Sequence, residues 1–172
     1  AEKVDTALHP KTAPLSKAWL QSYANETTTL RYLYLAHKLG IKPEANEKKL
    51  LKALKATYKG SMYQKALKIL VMALYENKKA VARDLESLIQ HTVEQPSLGR
   101  YFDTDRASDS WFMYKIPTQT AAIEALDMTR PATSDTLQAM RLWLLQSKRA
   151  QLWPNSRATV DALYALLRPN GE

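Results

Sequence analysis

Ser61-Met62-Tyr63-Gln64-Lys65-Ala66-Leu67-Lys68-Ile69-Leu70-Val71-Met72-Ala73-Leu74-Tyr75-Glu76 is the stretch on which the fold turns. Met62, Tyr63, Leu67, Ile69, Leu70, Val71 and Leu74 cover most of a helical circumference between Met62 and Glu76. A helix that is apolar nearly all round needs neighbours on two sides, so this spacing predicts a central helix. Gly60 closes the segment before it, and Ser61 is placed to cap its start.

Working outward, the same periodicity recurs. Leu50, Leu51, Leu54 and Tyr58 form an apolar stripe from about Asn46, with Lys48, Lys52, Lys55 and Lys59 on the opposite face. Upstream, Asn25 precedes Glu26, Thr27 and Thr28, an N-cap with an acidic first turn. Leu30, Leu33, Tyr34, His37 and Leu39 follow, and Gly40 is placed as the stop. A shorter helix is expected from about Ser16 to Tyr23, around Trp19 and Leu20. Downstream, Val81, Leu85, Leu88 and Ile89 predict a helix from about Lys79 to His91.

The helical period is then lost from Thr92 to Pro117, which reads as an irregular loop between two helical halves. Tyr101-Phe102 and Trp111 to Ile116 are its candidates for a short hairpin. Helices are expected again from Pro117 to about Thr129, from a Ser134 cap to about Lys148, and from about Ser156 to Leu167. In the Ser134–Lys148 segment Leu137, Met140, Leu142, Trp143 and Leu145 are the apolar residues. Ala122-Ile123-Glu124-Ala125-Leu126 matches Ala162-Leu163-Tyr164-Ala165-Leu166 at a distance of 40 residues, the length of a helical hairpin with its loops. Trp111 and Trp153 precede the two copies and are expected to plug the ends of the helices. The fold class that follows is all-α, with stacked helical hairpins.

Composition agrees. A chain of 172 residues suits one domain spanning 1–172, and its four glycines are too few for an all-β fold rich in tight turns. There is no cysteine, which excludes disulfides, thiolate metal sites and cysteine nucleophiles. No run of 18 apolar residues is present, so no membrane-spanning segment is expected. The N-terminus lacks an apolar signal core, and the C-terminus reads as a cut at a domain edge. The net charge of +8 is concentrated between Lys42 and Arg83, where 11 Lys and Arg face Glu44, Glu47 and Glu76. Such a segment is either a solvated face or a surface that attracts polyanions.

Candidates for chemistry are few. His9, His37 and His91 are far apart, and none forms a metal-binding pair at helical spacing. His37 reads as structural. Asp103, Asp105 and Asp109 sit in a loop that starts like a calcium loop, but the sixth position holds Ser108 and the twelfth Tyr114, not Gly and Glu. The same loop partly matches the Asp-X-Asp-Asp motif of terpene cyclases, with Arg106 where an acid is needed. There is no phosphate-binding glycine loop and no Gly-X-Ser-X-Gly elbow. No catalytic residue, cofactor site or metal site is assigned.

Trp111-Phe112-Met113-Tyr114-Lys115-Ile116-Pro117-Thr118-Gln119-Thr120-Ala121-Ala122-Ile123-Glu124-Ala125-Leu126 resembles a segment of bacterial alpha-2-macroglobulin-like proteins. So do Leu142-Trp143-Leu144-Leu145-Gln146-Ser147-Lys148-Arg149, Trp153, and Thr159 to Leu167. The match covers roughly residues 98–168, and the first half fits by its helical hairpins. The resemblance implies the C-terminal part, or a shortened form, of an α/α toroid. It also implies a role in a large periplasmic or cell-envelope protein that entraps proteases after a bait segment is cut. Its partners would be neighbouring domains and, through the whole protein, target proteases, with no nucleic acid.

Thioester-bearing members use a Cys-X-Glu-Gln motif. Here Thr92-Val93-Glu94-Gln95 has the Glu-Gln but no thiol, so thioester coupling cannot occur in this segment. The expectation is therefore a non-catalytic structural and interaction domain. Two alternatives remain at this level: a helical module binding polyanions through Lys42–Arg83, and a helical-toroid enzyme with Asp103, Asp105 and Asp109 near its cavity.

Overall fold

A computed structural model describes residues 16–24, 26–54, 61–75, 78–102, 111–129, 134–149 and 156–167. The described chain is all-α apart from one two-stranded hairpin. Its elements are α1 (Lys17–Ala24), α2 (Thr27–Lys38), α3 (Ala45–Leu54), α4 (Met62–Tyr75), α5 (Lys78–Ile89), β1 (Thr92–Gln95), β2 (Gly99–Phe102), α6 (Trp111–Thr129), α7 (Asp135–Arg149) and α8 (Ser156–Leu167).

Helix α4 is central, as its sequence predicts. It packs on α2, α3, α5 and α6, and Ala66 to Ala73 are all buried. Its start is a reciprocal cap: Gln64 N donates to Ser61 Oγ at 3.2 Å, and Ser61 N donates to Gln64 Oε1 at 3.0 Å. Two orphan amides of the first turn are satisfied this way. The end of α2 is also legible. Gly40 takes φ of 71°, its N–H donates to the His37 carbonyl, and Ile41 N–H donates to Ala36 O at 2.9 Å. This is a Schellman closure, which favours glycine at the left-handed position.

Two apolar clusters meet along α4. One, drawn from residues 20–81, gathers Leu20, Leu30, Leu33, Leu50, Leu67 and Val81. The other joins Ala66, Ile69 and Leu70 to Leu85, Phe102, α6, α7 and α8. Tyr34 and Met128 touch both. Burying one such leucine contributes about 1.5–3 kcal/mol.

Residues 92–102 and 111–117 differ from expectation, while 103–110 lie outside the described residues. β1 and β2 pair antiparallel, with Thr92 opposite Phe102 and Gln95 opposite Gly99. The hairpin partner of Tyr101-Phe102 is thus Thr92-Val93, and Trp111 to Ile116 are already helical. Helix α6 runs through Pro117 rather than starting there. Pro117 is the seventh residue of this helix, so its missing N–H leaves the Met113 carbonyl without its intrahelical donor. Trp111 is accordingly the first residue of a helix and not a loop residue. Gly99, the buried first residue of β2, has φ of 86°, and a Cβ there would lie 2.2 Å from the Ala139 carbonyl oxygen of α7. The hairpin can sit against α7 only because that position is glycine.

Helix α7 buries Leu137, Met140, Trp143 and Leu144, while Leu142 and Leu145 face outward.

Candidate functional site

A buried polar constellation lies where α2, α6 and α8 converge. Glu124 is only 3% exposed, in the middle of α6. Its carboxylate accepts a hydrogen bond from the Tyr34 hydroxyl at 3.0 Å and from Lys38 Nζ at 3.0 Å. The same ammonium donates to the Tyr164 hydroxyl at 2.7 Å and lies 3.9 Å from the centre of that ring. Tyr34 and Lys38 share a face of α2 because they are four residues apart. One cation thus ties three helices, and each contact is charge-assisted. Burial, with the adjacent Glu124 charge, holds the Tyr34 hydroxyl well above its ordinary range, so it acts as a donor at all physiological pH.

The internal repeat explains part of this geometry. Glu124 and Tyr164 occupy the same place in the two matched segments, and both reach Lys38. Beside them is a cleft of about 340 Å³, with Arg31, Tyr34, Pro117, Glu124 and Asp161 in its lining. Burial raises the Asp161 carboxyl above the usual range, and the Arg31 charge opposes that rise. A second cleft, of about 420 Å³, lies by Tyr32, Ile41, Glu47 and Tyr75. Tyr75 donates there to the Leu33 carbonyl at 2.9 Å and meets His37 edge-on, which makes His37 a packing residue.

A second polar centre joins the hairpin to the helices. Gln119, 1% exposed, donates through Nε2 to the carbonyls of Arg100 at 2.9 Å and Met140 at 3.1 Å. Tyr101 stacks on Trp143, and Lys115 Nζ sits over both rings. Arg141 on α7 pairs with Asp127 on α6 at 3.0 Å.

The residues singled out from sequence divide unevenly. Asp103, Asp105, Asp109, His9, Asn25, Tyr58 and Trp153 lie outside the described residues. Glu94 pairs with Arg100 across the hairpin, and Gln95 donates to the Tyr101 hydroxyl. The Glu-Gln of β1 is thus used for strand pairing. Thr92 Oγ1 donates to the Ile89 carbonyl at 2.6 Å.

The Lys42–Arg83 segment is not one continuous basic face. Lys42, Lys48, Lys49 and Lys52 are exposed, but Lys68 is buried and Lys65 donates to Ser87 Oγ at 2.8 Å. Burial pulls both of these ammonium groups down, with Asp84 opposing. Among the described residues no group of three acidic or imidazole side chains is placed to hold a metal ion. No described helix is long and apolar enough to cross a membrane.

Compared with protein-family models, with curated proteins and with solved structures, the chain finds no match. The Lys38, Glu124 and Tyr164 node was not found from sequence. Its only signal was the coincidence of Glu124 and Tyr164 in the repeat.

Proposed function

We propose that this chain is a non-catalytic structural and interaction domain of an alpha-2-macroglobulin-like protease trap of the bacterial envelope, working without thioester chemistry. The observation that supports this reading is how the resembling stretch uses its polar residues. Thr118, Gln119, Thr120, Glu124 and Ser147 are all buried. Gln119 joins β2 to α7, Glu124 joins α6 to α2, and Thr120 and Ser147 bond to carbonyls of their own helices. Gln119 and Glu124 thus hold elements together, and Thr120 and Ser147 bond within their own helices, which is a structural use of the motif's buried polar residues. In this reading the stacked helices are an arc of an α/α toroid, and the neighbouring domains of the same protein are the partners.

The test uses the protein isolated from its source. Its intact mass should far exceed 19.5 kDa. After exposure to trypsin, the trapped protease should keep its activity on a small peptide ester and lose it on casein. Heating in detergent should release the protease, because no covalent bond to it has formed. A source protein of about 19.5 kDa would remove the reading.

One observation favours a second reading, polyanion binding. On α3, Glu47 is buried, so Lys48, Lys49 and Lys52 face solvent without it, with Lys42 just before the helix. Binding of that kind loses about 0.9 log units of affinity per phosphate contact for each tenfold rise in salt. A flat, negligible signal with duplex DNA at 20–50 mM salt, on the order used for such tests, excludes it.

A further inference from the structure

Helix α8 is held by little apolar burial. Its buried side chains among the described residues are Ala158, Ala162 and Ala165, spaced i, i+4 and i+7, with Leu166 half-buried beside them. Its larger residues Val160, Leu163, Tyr164 and Leu167 are exposed. The neighbouring α7 instead buries Leu137, Met140, Trp143 and Leu144. Apolar stabilisation scales with the area removed from water, and an alanine methyl removes far less than a leucine side chain. Among the described elements α8 packs mainly on α6 and more lightly on α7. Holding its 12 residues in one conformation costs as much backbone entropy per residue as in any other helix. Its attachment is therefore weaker than that of α4, α6 or α7.

Polar contacts add to this attachment. Lys38 Nζ donates to the Tyr164 hydroxyl at 2.7 Å and lies 3.9 Å from the centre of that ring. One turn earlier, Asp161 lines the cleft of about 340 Å³, whose other walls include Arg31 and Tyr34 of α2, Tyr63 of α4, and Thr120 and Glu124 of α6. Burial lifts the Asp161 carboxyl above its usual range and the Arg31 charge opposes the rise, so ionised Asp161 works against a closed α8. Lys38, by contrast, keeps its bond to Glu124 at 3.0 Å without any residue of α8, and Tyr34 donates to the same carboxylate. The Tyr34, Lys38 and Glu124 cluster is thus joined by α2 and α6 alone and stays assembled when α8 leaves.

We infer that α8 is a lid over this cleft: it opens as a unit while α2, α4, α6 and α7 stay folded, with the Lys38–Tyr164 contact as its latch. Opening removes the Asp161 wall of the cleft. Closed, the lid leaves Glu124 only 3% exposed. Open, it bares the Tyr34, Lys38 and Glu124 cluster and the Thr120 side chain beside it. Openings of this kind, short of global unfolding, are drawn from elements with few buried apolar contacts. The lid is built from these 172 residues alone, so it does not depend on the protease-trap reading.

The test is native-state hydrogen exchange of the 172-residue chain, together with a thiol probe inside the cleft. The amides of Ala162 to Leu166 should be protected at least about a hundredfold less than those of Ile69 to Ala73 in α4. Urea below the unfolding transition should lower protection steeply in α4 and little in α8, because opening one helix exposes little surface. Tyr164→Phe keeps the ring and removes the hydroxyl, and should lower α8 protection about threefold to tenfold. The chain has no cysteine, so Thr120→Cys places a single thiol in the cleft lining. Its reaction with iodoacetamide should be slowed only as far as α8 amide exchange is, and Tyr164→Phe should speed it by the same factor. Equal protection with equal urea dependence in α4 and α8 overturns the lid. So does a Thr120→Cys thiol that reacts only on global unfolding, or as fast as a free thiol. An α8 exchange rate that Tyr164→Phe leaves unchanged overturns the latch and the proposal with it.

Discussion

Replacing Lys38 with Met should destabilise the protein more than replacing Glu124 with Gln, although both break the same ion pair. The asymmetry comes from exposure. The Glu124 side chain is 4% exposed and that of Lys38 is 20% exposed. Lys38→Met strands a carboxylate in the interior without its ammonium. Stranding one member of a buried pair costs about 3–5 kcal/mol, and partial access of water at the Lys38 side brings the expected loss to about 3 kcal/mol. Glu124→Gln keeps the shape and an acceptor for Tyr34, and the stranded ammonium retains Tyr164 and some solvent. Its cost should be about 1–2 kcal/mol. The double variant leaves no buried charge, so it should lose less than the two single variants together, by about 1–2 kcal/mol.

The assay is urea unfolding followed by circular dichroism. With a slope of about 2 kcal/mol per molar urea, Lys38→Met should lower the midpoint by about 1.5 M and Glu124→Gln by about 0.5–1 M. A larger shift for Glu124→Gln, or one under about 0.3 M for Lys38→Met, would refute the argument that the node joins α2, α6 and α8 by a desolvated charge.

Gly99→Ala should lower the melting temperature by about 6–12 °C, since a Cβ meets backbone of Ala139 and Trp143 and about 3 kcal/mol is lost. Gly40→Ala, with a similar φ of 71° but open space around it, should cost only about 1 kcal/mol in the same melt. Asp161 has a folded-state pKa above its unfolded value, so its contribution to stability is greatest below the unfolded pKa and declines as pH rises through the folded one. Asp161→Asn should therefore raise the melting temperature at pH 7, with the gain disappearing near pH 3; a gain that persists in acid would contradict the burial argument. Gln119→Ala removes the bonds to Arg100 and Met140 and should cost about 2–3 kcal/mol in urea unfolding, with the hairpin amides losing exchange protection first.

The sequence reading succeeded where a single local signal sufficed. Met62 to Tyr75 is apolar on nearly every face, so its central place follows from its own residues. Gly40 and Ser61 end and begin helices by rules that involve only near neighbours. It failed between Thr92 and Ile116 for two reasons. Strands of four residues offer too little alternation to register, and Val93, Tyr101 and Phe102 are their main apolar members. Trp111 to Tyr114 are consecutive apolar residues with no period, and Pro117 invites a helix start that lies six residues too late. The Lys38 node depends on contacts 86 and 126 residues apart in the chain, which no window along the sequence can display.

The two apolar clusters along α4 also set an order for synthesis. The buried members of the first all lie within residues 20–81, so most of it can assemble while the C-terminal half is still being made. The second needs Phe102 and residues as late as Ala165, so Ala66, Ile69 and Leu70 of α4 must wait with that face bare. A chain ending after α5 would carry a nearly complete core on one side of α4 and a bare apolar face, Ala66, Ile69 and Leu70, on the other.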